Sequence, residues 1–163
     1  MTFRELCERA KGRLRLMIDT KEPSHPPAFY QEMEAAMRDN GLLATAYFIG
    51  TEESRQWFKA KAPISATSQQ LKQLAGAGEP VGERYFLFEW GNMSEDSVRW
   101  ALANHVPVVP SINTFHYRNR DAIQTGLADI ARLRSLGVRE FQIDSVYDPA
   151  FTQPAAVSAA REP

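Results

Sequence analysis

LRLMIDTK, residues 14–21, decides how this chain is read, because it begins apolar and ends polar. Leu16-Met17-Ile18 suits a buried strand, and Asp19-Thr20-Lys21 stands at that strand's carboxyl end. Five more runs follow: LLATAYFIG (42–50), APISAT (62–67), RYFLFEWG (84–91), VPVVPSIN (106–113) and VREFQIDSVY (138–147). Near-continuous apolar runs of this length suit parallel strands covered on both faces.

The stretches between the runs read as helices. Phe3 to Ala10 stops near Gly12. Pro27 to Asn40 starts on a proline, tolerated in a first turn, and ends at Asn40-Gly41. Thr51-Glu52-Glu53 and Ser94-Glu95-Asp96 each place a capping residue and two acids before an apolar stripe. Ser68 to Leu74 reads as a short helix. Asp121 to Leu136 carries Ile123, Leu127, Ile130, Leu133 and Leu136 at helical spacing and ends at Gly137. Gly76 to Gly82 reads as a loop, and Thr152 to Pro163 as a flexible tail. The pattern is α/β: six parallel strands, each of the first five followed by a helix, with right-handed crossovers.

Composition narrows the function classes. The 163 residues are 44% hydrophobic and 24% charged, as in globular domains. A net charge of −1, from 19 basic and 20 acidic residues, gives no field for nucleic acid. Cys7 is the single cysteine, so neither an internal disulfide nor a thiolate zinc cluster is expected. No apolar run approaches the roughly 18 residues of a membrane span. The first residues lack the apolar stretch of a signal peptide, so the chain as given reads as cytoplasmic, and in a longer parent a secretion signal would lie in the N-terminal part that precedes it.

In parallel α/β folds, chemistry gathers beyond the carboxyl ends of the strands. There the sequence places Asp19 and Lys21, Glu89, Asn113, His116 and Asp144. Asp19 borders a buried run, where a carboxylate needs a partner: a hard cation, Mg²⁺ or Ca²⁺, or the nearby Lys21. Lys21 projects to the same side as Asp19 and suits an anionic oxygen or a surface ion pair. Glu89 follows four apolar residues and reads as a site carboxylate or a turn cap. Asn113 suits a ligand contact or a turn. His116 suits acid/base work near neutral pH, or a solvated loop. Asp144 suits a ligand, or a tie for the loop before Pro149. His25 and His105 read as surface loop residues, and Tyr47, Phe48, Trp57, Phe58, Phe86, Phe88 and Trp100 as core. No Gly-x-Gly-x-x-Gly, phosphate-binding glycine loop or His-Glu-x-x-His motif is present.

In order, these strand ends resemble the glycerophosphodiester phosphodiesterase family, within the phosphatidylinositol-phospholipase-C-like barrels. Leu16-Met17-Ile18-Asp19-Thr20-Lys21 resembles the family's Ile-Glu-Ile-Lys strand. Pro110-Ser111-Ile112-Asn113 stands where Trp-Thr-Val-Asn is usual. Leu136-Gly137-Val138 with Phe141-Gln142-Ile143-Asp144 resembles its closing Gly-Val-Asp-Gly-Ile-Ile-Thr-Asp. Tyr47-Phe48-Ile49-Gly50 with Thr51-Glu52-Glu53 takes the place of a Ser-Phe segment.

The resemblance implies a partial TIM (β/α)₈ barrel over residues 1–151, holding the third to eighth strands and lacking the first two. It implies Asp19 as the remaining metal carboxylate, for Mg²⁺ or Ca²⁺ in a full-length parent, and Lys21 as the phosphate-holding lysine. Asn113 matches a motif position, while Glu89 and His116 are substrate-side residues by their place in the mouth alone. The implied activity is metal-dependent hydrolysis of glycerophosphodiesters to glycerol phosphate and an alcohol. The acid/base histidines and two metal carboxylates have no counterpart here, so this chain alone is expected to be inactive. Open barrel edges imply self-association. Two other classes remain: a non-catalytic remnant or interaction domain, and a six-stranded nucleotide-binding domain.

Overall fold

A computed structural model describes residues 1–22, 24–118 and 121–152. The elements run α1 (Phe3–Ala10), β1 (Met17–Ile18), α2 (Pro27–Asp39), β2 (Tyr47–Phe48), α3 (Glu52–Phe58), β3 (Ile64–Ala66) and α4 (Ser68–Gly76). They continue with α5 (Val81–Arg84), β4 (Tyr85–Leu87), α6 (Glu95–Ala103), β5 (Ser111–Ile112), α7 (Ala122–Ser135), β6 (Gln142–Ile143) and α8 (Pro149–Thr152). The fold is α/β, with every strand pair parallel. Each strand lies inside one of the six apolar runs.

The helices start where the sequence supplies caps. Thr2 Oγ1 accepts from the Glu5 N–H at 3.3 Å while Glu5 reaches back to the Thr2 N–H at 2.7 Å. Thr67 and Gln70 form the same reciprocal pair on α4. Thr51 and Ser94 cap α3 and α6. Gly137, at φ +96°, takes the left-handed conformation that ends α7.

Neighbouring strands follow chain order. β1-β2-β3-β4 form one sheet and β5-β6 another, with parallel bridges Leu87–Val108 and Trp90–Ser111 between them. The register pairs Met17 with Tyr47, Ser65 with Phe86 and Ser111 with Gln142. Side chains alternate across a strand, and here the alternation separates two apolar clusters. Met17, Tyr47, Ile49, Phe86, Phe88 and Val109 form a smaller cluster on one face. Phe48, Ile64, Leu87 and Ile112 join the main core with helix residues such as Met37, Phe58, Leu71, Val98 and Leu133. Phe48 and Phe58 stack there at 3.9 Å between ring centres, and both are fully buried. Truncating either to alanine costs about 3–5 kcal/mol.

Two features differ from the sequence reading. The expected loop at 76–82 takes up the last residue of α4 and the start of α5. Pro80 precedes Val81, and a fixed proline φ suits the entry of so short a helix. The hydrogen-bonded strands are also shorter than the apolar runs that contain them. Ladder pairing needs a partner in register, whereas burial does not. Among the described residues no helix is long and apolar enough to cross a membrane. The expected tail at 152–163 lies outside the described residues, apart from Thr152, which ends α8.

Candidate functional site

Alternation along the strands aims one set of side chains past the carboxyl ends. After Met17 come Asp19 and Lys21 on β1; after Val109 come Ser111 and Asn113 on β5; Gln142 and Asp144 share that side of β6. These residues, with Thr67, Phe88, Glu89, Trp90, Phe115 and His116, line a cavity of about 860 Å³. All of Asp19, Lys21, Glu89, Asn113, His116 and Asp144 therefore meet in one mouth. The first and last strands both contribute to it, although among the described residues they share no ladder.

Each carboxylate of the mouth already has a donor. Asp19 accepts from the Lys21 ammonium, with the Lys21 side chain 80% exposed and Asp19 34%. Glu89 Oε1 accepts from the Ser68 N–H at 2.7 Å and the Ser68 hydroxyl at 2.9 Å. It thus caps the first turn of α4, not the turn that follows its own strand. Asp144 Oδ2 accepts from the Thr114 N–H at 2.7 Å and the Thr114 hydroxyl at 2.8 Å, which ties β6 to the turn after β5.

The floor is a buried polar knot. Asn113 Nδ2 donates to Ser111 Oγ at 2.9 Å and to Gln142 Oε1 at 3.3 Å. The Ser111 hydroxyl also donates to Gln142. Ser111 and Asn113 are both buried. Ser111 and Gln142 were not singled out from sequence, yet the signal was present: each lies two residues before a strand-end polar residue on the same side.

The rim is aromatic. The His116 ring stacks on Trp90 at 4.5 Å, and Phe115 meets it edge-on at 4.3 Å. Trp90 is 55% exposed and Phe115 72%. His116 Nδ1 lies 3.3 Å from the Ser111 carbonyl oxygen. A carbonyl only accepts, so in this contact Nδ1 is the donor. His25 and His105 lie elsewhere: His25 stacks on Phe29 at 4.0 Å, and His105 is exposed with φ +58°.

Three carboxylates (Asp19, Glu89, Asp144) and one lysine line the cavity, an excess of acidic over basic side chains. Lys21 suits an anionic oxygen, the polar knot suits hydroxyl groups, and the rim offers a flat apolar face. Among the described residues no three His, Cys, Asp or Glu side chains come together to hold a metal ion. Asp19 is engaged by Lys21, and a single carboxylate holds Mg²⁺ only where substrate phosphates share the ion. Comparison with protein-family models and with curated proteins finds no match.

Proposed function

We propose that this chain is the six-strand, C-terminal portion of a (β/α)₈ barrel hydrolase. Its mouth binds the glycerol phosphate part of a glycerophosphodiester. Hydrolysis in a parent carrying two further βα units adds water across the phosphorus–oxygen bond to the alcohol, releasing glycerol phosphate and that alcohol. The observation that carries the reading is the shared mouth. β1 brings Asp19 and Lys21, and β6 brings Asp144, to the cavity that β4 and β5 also line. Strand order supports it too, since neighbours follow chain order without the reversal a doubly wound nucleotide-binding sheet has at its ligand crevice.

In this reading Lys21 takes a phosphate oxygen, Asn113 and Ser111 meet the glycerol hydroxyls, and Trp90 and Phe115 border the alcohol. His116 lines the mouth, but among the described residues no second histidine does so to protonate the leaving alkoxide. The residues present do not by themselves fit a divalent ion, and no step is assigned to one. The expected activity of this chain alone is therefore negligible.

One observation favours a second reading, that of a non-catalytic binding domain. All three mouth carboxylates are already engaged by Lys21, Ser68 and Thr114.

Titration of the chain with sn-glycerol 3-phosphate tests the primary reading. Saturable binding weakened about three- to tenfold by Lys21→Met is expected, since a single exposed charge-assisted contact is lost. Absence of binding, or binding indifferent to Lys21, overturns it. Turnover of glycerophosphocholine by the chain with Mg²⁺ or Ca²⁺ overturns the expectation of inactivity.

A further inference from the structure

Away from the mouth, α3, α4 and the helix-facing side of β3 and β4 enclose a second cleft of about 330 Å³. Its floor is apolar, with Ile64, Ala66, Leu74 and Ala77. Its cations are Arg55 and Lys59, and Glu52 is the only acid in the lining. The exposed amides of Gln56, Gln70 and Gln73 border it.

Two polar atoms in this lining are unusual. Among the described residues, the buried side-chain nitrogen and oxygen atoms without a hydrogen-bond partner are Arg55 Nε and the Tyr85 hydroxyl. Both residues line this one cleft. Tyr85 is 3% exposed. An unpaired buried donor costs about 1–3 kcal/mol, so such groups rarely persist without a use. The rest of the Arg55 guanidinium is committed. Nη1 donates to the Ser65 carbonyl at 3.3 Å and Nη2 donates to Glu52. The Glu52 side chain is 65% exposed, so that pair is weak and exchangeable.

We propose that this cleft binds a small organic monocarboxylate with an apolar body, whose carboxylate is held by Arg55 and Tyr85. The chemistry follows from the lining. The unpaired Arg55 Nε–H belongs to the edge of the guanidinium that accepts a carboxylate side-on, with Nη2. Tyr85 supplies a second donor, while Lys59 at the rim is already paired with Glu79 at 3.9 Å. Ile64, Ala66 and Leu74 take the apolar part of the ligand. The cleft volume falls at the small end of small-molecule sites. Gln73 at the border is exposed and rotamer-rich, so it can turn aside as the ligand enters, whereas Gln70 stays in the α4 capping box and Gln56 donates to Glu52 at 2.7 Å. Nothing in this site depends on the chemistry of the mouth.

The test uses benzoate as the probe and benzamide as its uncharged isostere, titrated into the ¹⁵N-labelled full chain. Saturable shifts at the amides of 64–66 and 70–77 are expected at millimolar benzoate, with benzamide binding about tenfold more weakly. Tyr85→Phe is expected to weaken benzoate about fivefold, and Arg55→Lys about tenfold, because lysine keeps the charge but not the fork. Unchanged affinity in both variants, equal binding of benzamide, or shifts confined to the mouth overturns the proposal. So does an outcome of bound water only, in which benzoate fails to bind while slowly exchanging water is detected next to Tyr85. If Tyr85→Phe does not fold, Arg55→Lys decides alone.

Discussion

Arg15 Nη1 lies 2.8 Å from both carboxylate oxygens of Glu140, a residue 125 positions away, and 3.1 Å from the Tyr47 hydroxyl. The pair joins the segment before β1 to the segment before β6. β1 of the four-stranded sheet and β6 of the two-stranded sheet, which share no ladder among the described residues, are thus linked by side chains. Both partners are nearly half exposed, so the pair itself is worth up to about 1 kcal/mol.

Tyr47 reports on that latch. Burial, then the charge and hydrogen bond of Glu140, push its phenol up to about 12, with Arg15 opposing. Glu140→Gln therefore lowers the Tyr47 pKa, and Arg15→Met raises it. Ultraviolet titration of phenolate, differenced against Tyr47→Phe, checks the opposite signs. Because the folded value is raised, Tyr47 contributes stability that is full below the ordinary value of 10.0 and is lost as pH rises toward about 12. In Glu140→Gln that alkaline loss is expected to start at the same pH, set by the unfolded phenol, but to end at lower pH and so to be smaller.

The acid side is set elsewhere. Glu34 is buried on α2, where its Oε2 accepts from Trp57 Nε1 at 3.0 Å and from Lys61 at 2.6 Å; Arg38 also donates to it. Burial alone raises a carboxyl, but here the Lys61 and Trp57 hydrogen bonds and the charges of Lys61 and Arg38 outweigh it and hold the group below its ordinary value. Stability from Glu34 is thus present above the ordinary 4.5 and lost as pH falls through the lower folded value. Glu34→Gln is expected to destabilise the chain by about 1–3 kcal/mol near neutral pH. Denaturant melts across acid pH are expected to show the gap between wild type and variant narrowing as pH falls.

Much of this arrangement was legible in the sequence because it is local. The runs at 14–21 and 106–113 each contain a strand, and Thr51 and Ser94 are caps, for reasons contained within a few residues. Parity along a strand also brought Asp19 and Lys21 to one side. What stayed illegible depends on contacts between distant segments. Nothing near Glu89 says that it caps α4 through Ser68, and nothing near Arg15 names Glu140. Asp19 is the instructive case, since a carboxylate beside a buried run asks for a cation and local sequence cannot say whether a metal or Lys21 answers. The orphan atoms of Arg55 and Tyr85 were equally hidden, because lacking a partner is a property of packing and not of residue type.

Gly50, just after β2, keeps the mouth's first strand in place. A methyl group there falls within contact of Thr20 Oγ1 and lies 2.7 Å from the Thr20 backbone nitrogen. Thr20 sits between Asp19 and Lys21, and its hydroxyl donates to Ser54 Oγ at 2.8 Å. Backbone cannot yield as a flexible side chain can, so Gly50→Ala is expected to cost about 1–3 kcal/mol by overpacking. It is also expected to weaken sn-glycerol 3-phosphate at Lys21, whereas Gly76→Ala, with open space around the added methyl, leaves that binding unchanged. Thermal melts and the same ligand titration read both effects.

The outer strands carry the last expectation. Among the described residues β1 is paired only with β2, and β6 only with β5. Unpaired edge groups invite another strand, and Arg15 and Glu140 shield this pair of edges at one end only. With Tyr47 and Gln142 they border a cavity of about 280 Å³ whose apolar lining is Leu16, Met17, Val109 and Phe141. Water there faces apolar side chains, so covering them with a second chain is favourable. Sedimentation velocity is expected to show the weight-average mass rising with protein concentration. Hydrogen exchange at residues 16–18 and 141–143 is expected to slow over the same range. Arg15→Met removes the latch and is expected to shift association to lower concentration. A monodisperse monomer at every concentration, with exchange at both edges unchanged, sinks the idea.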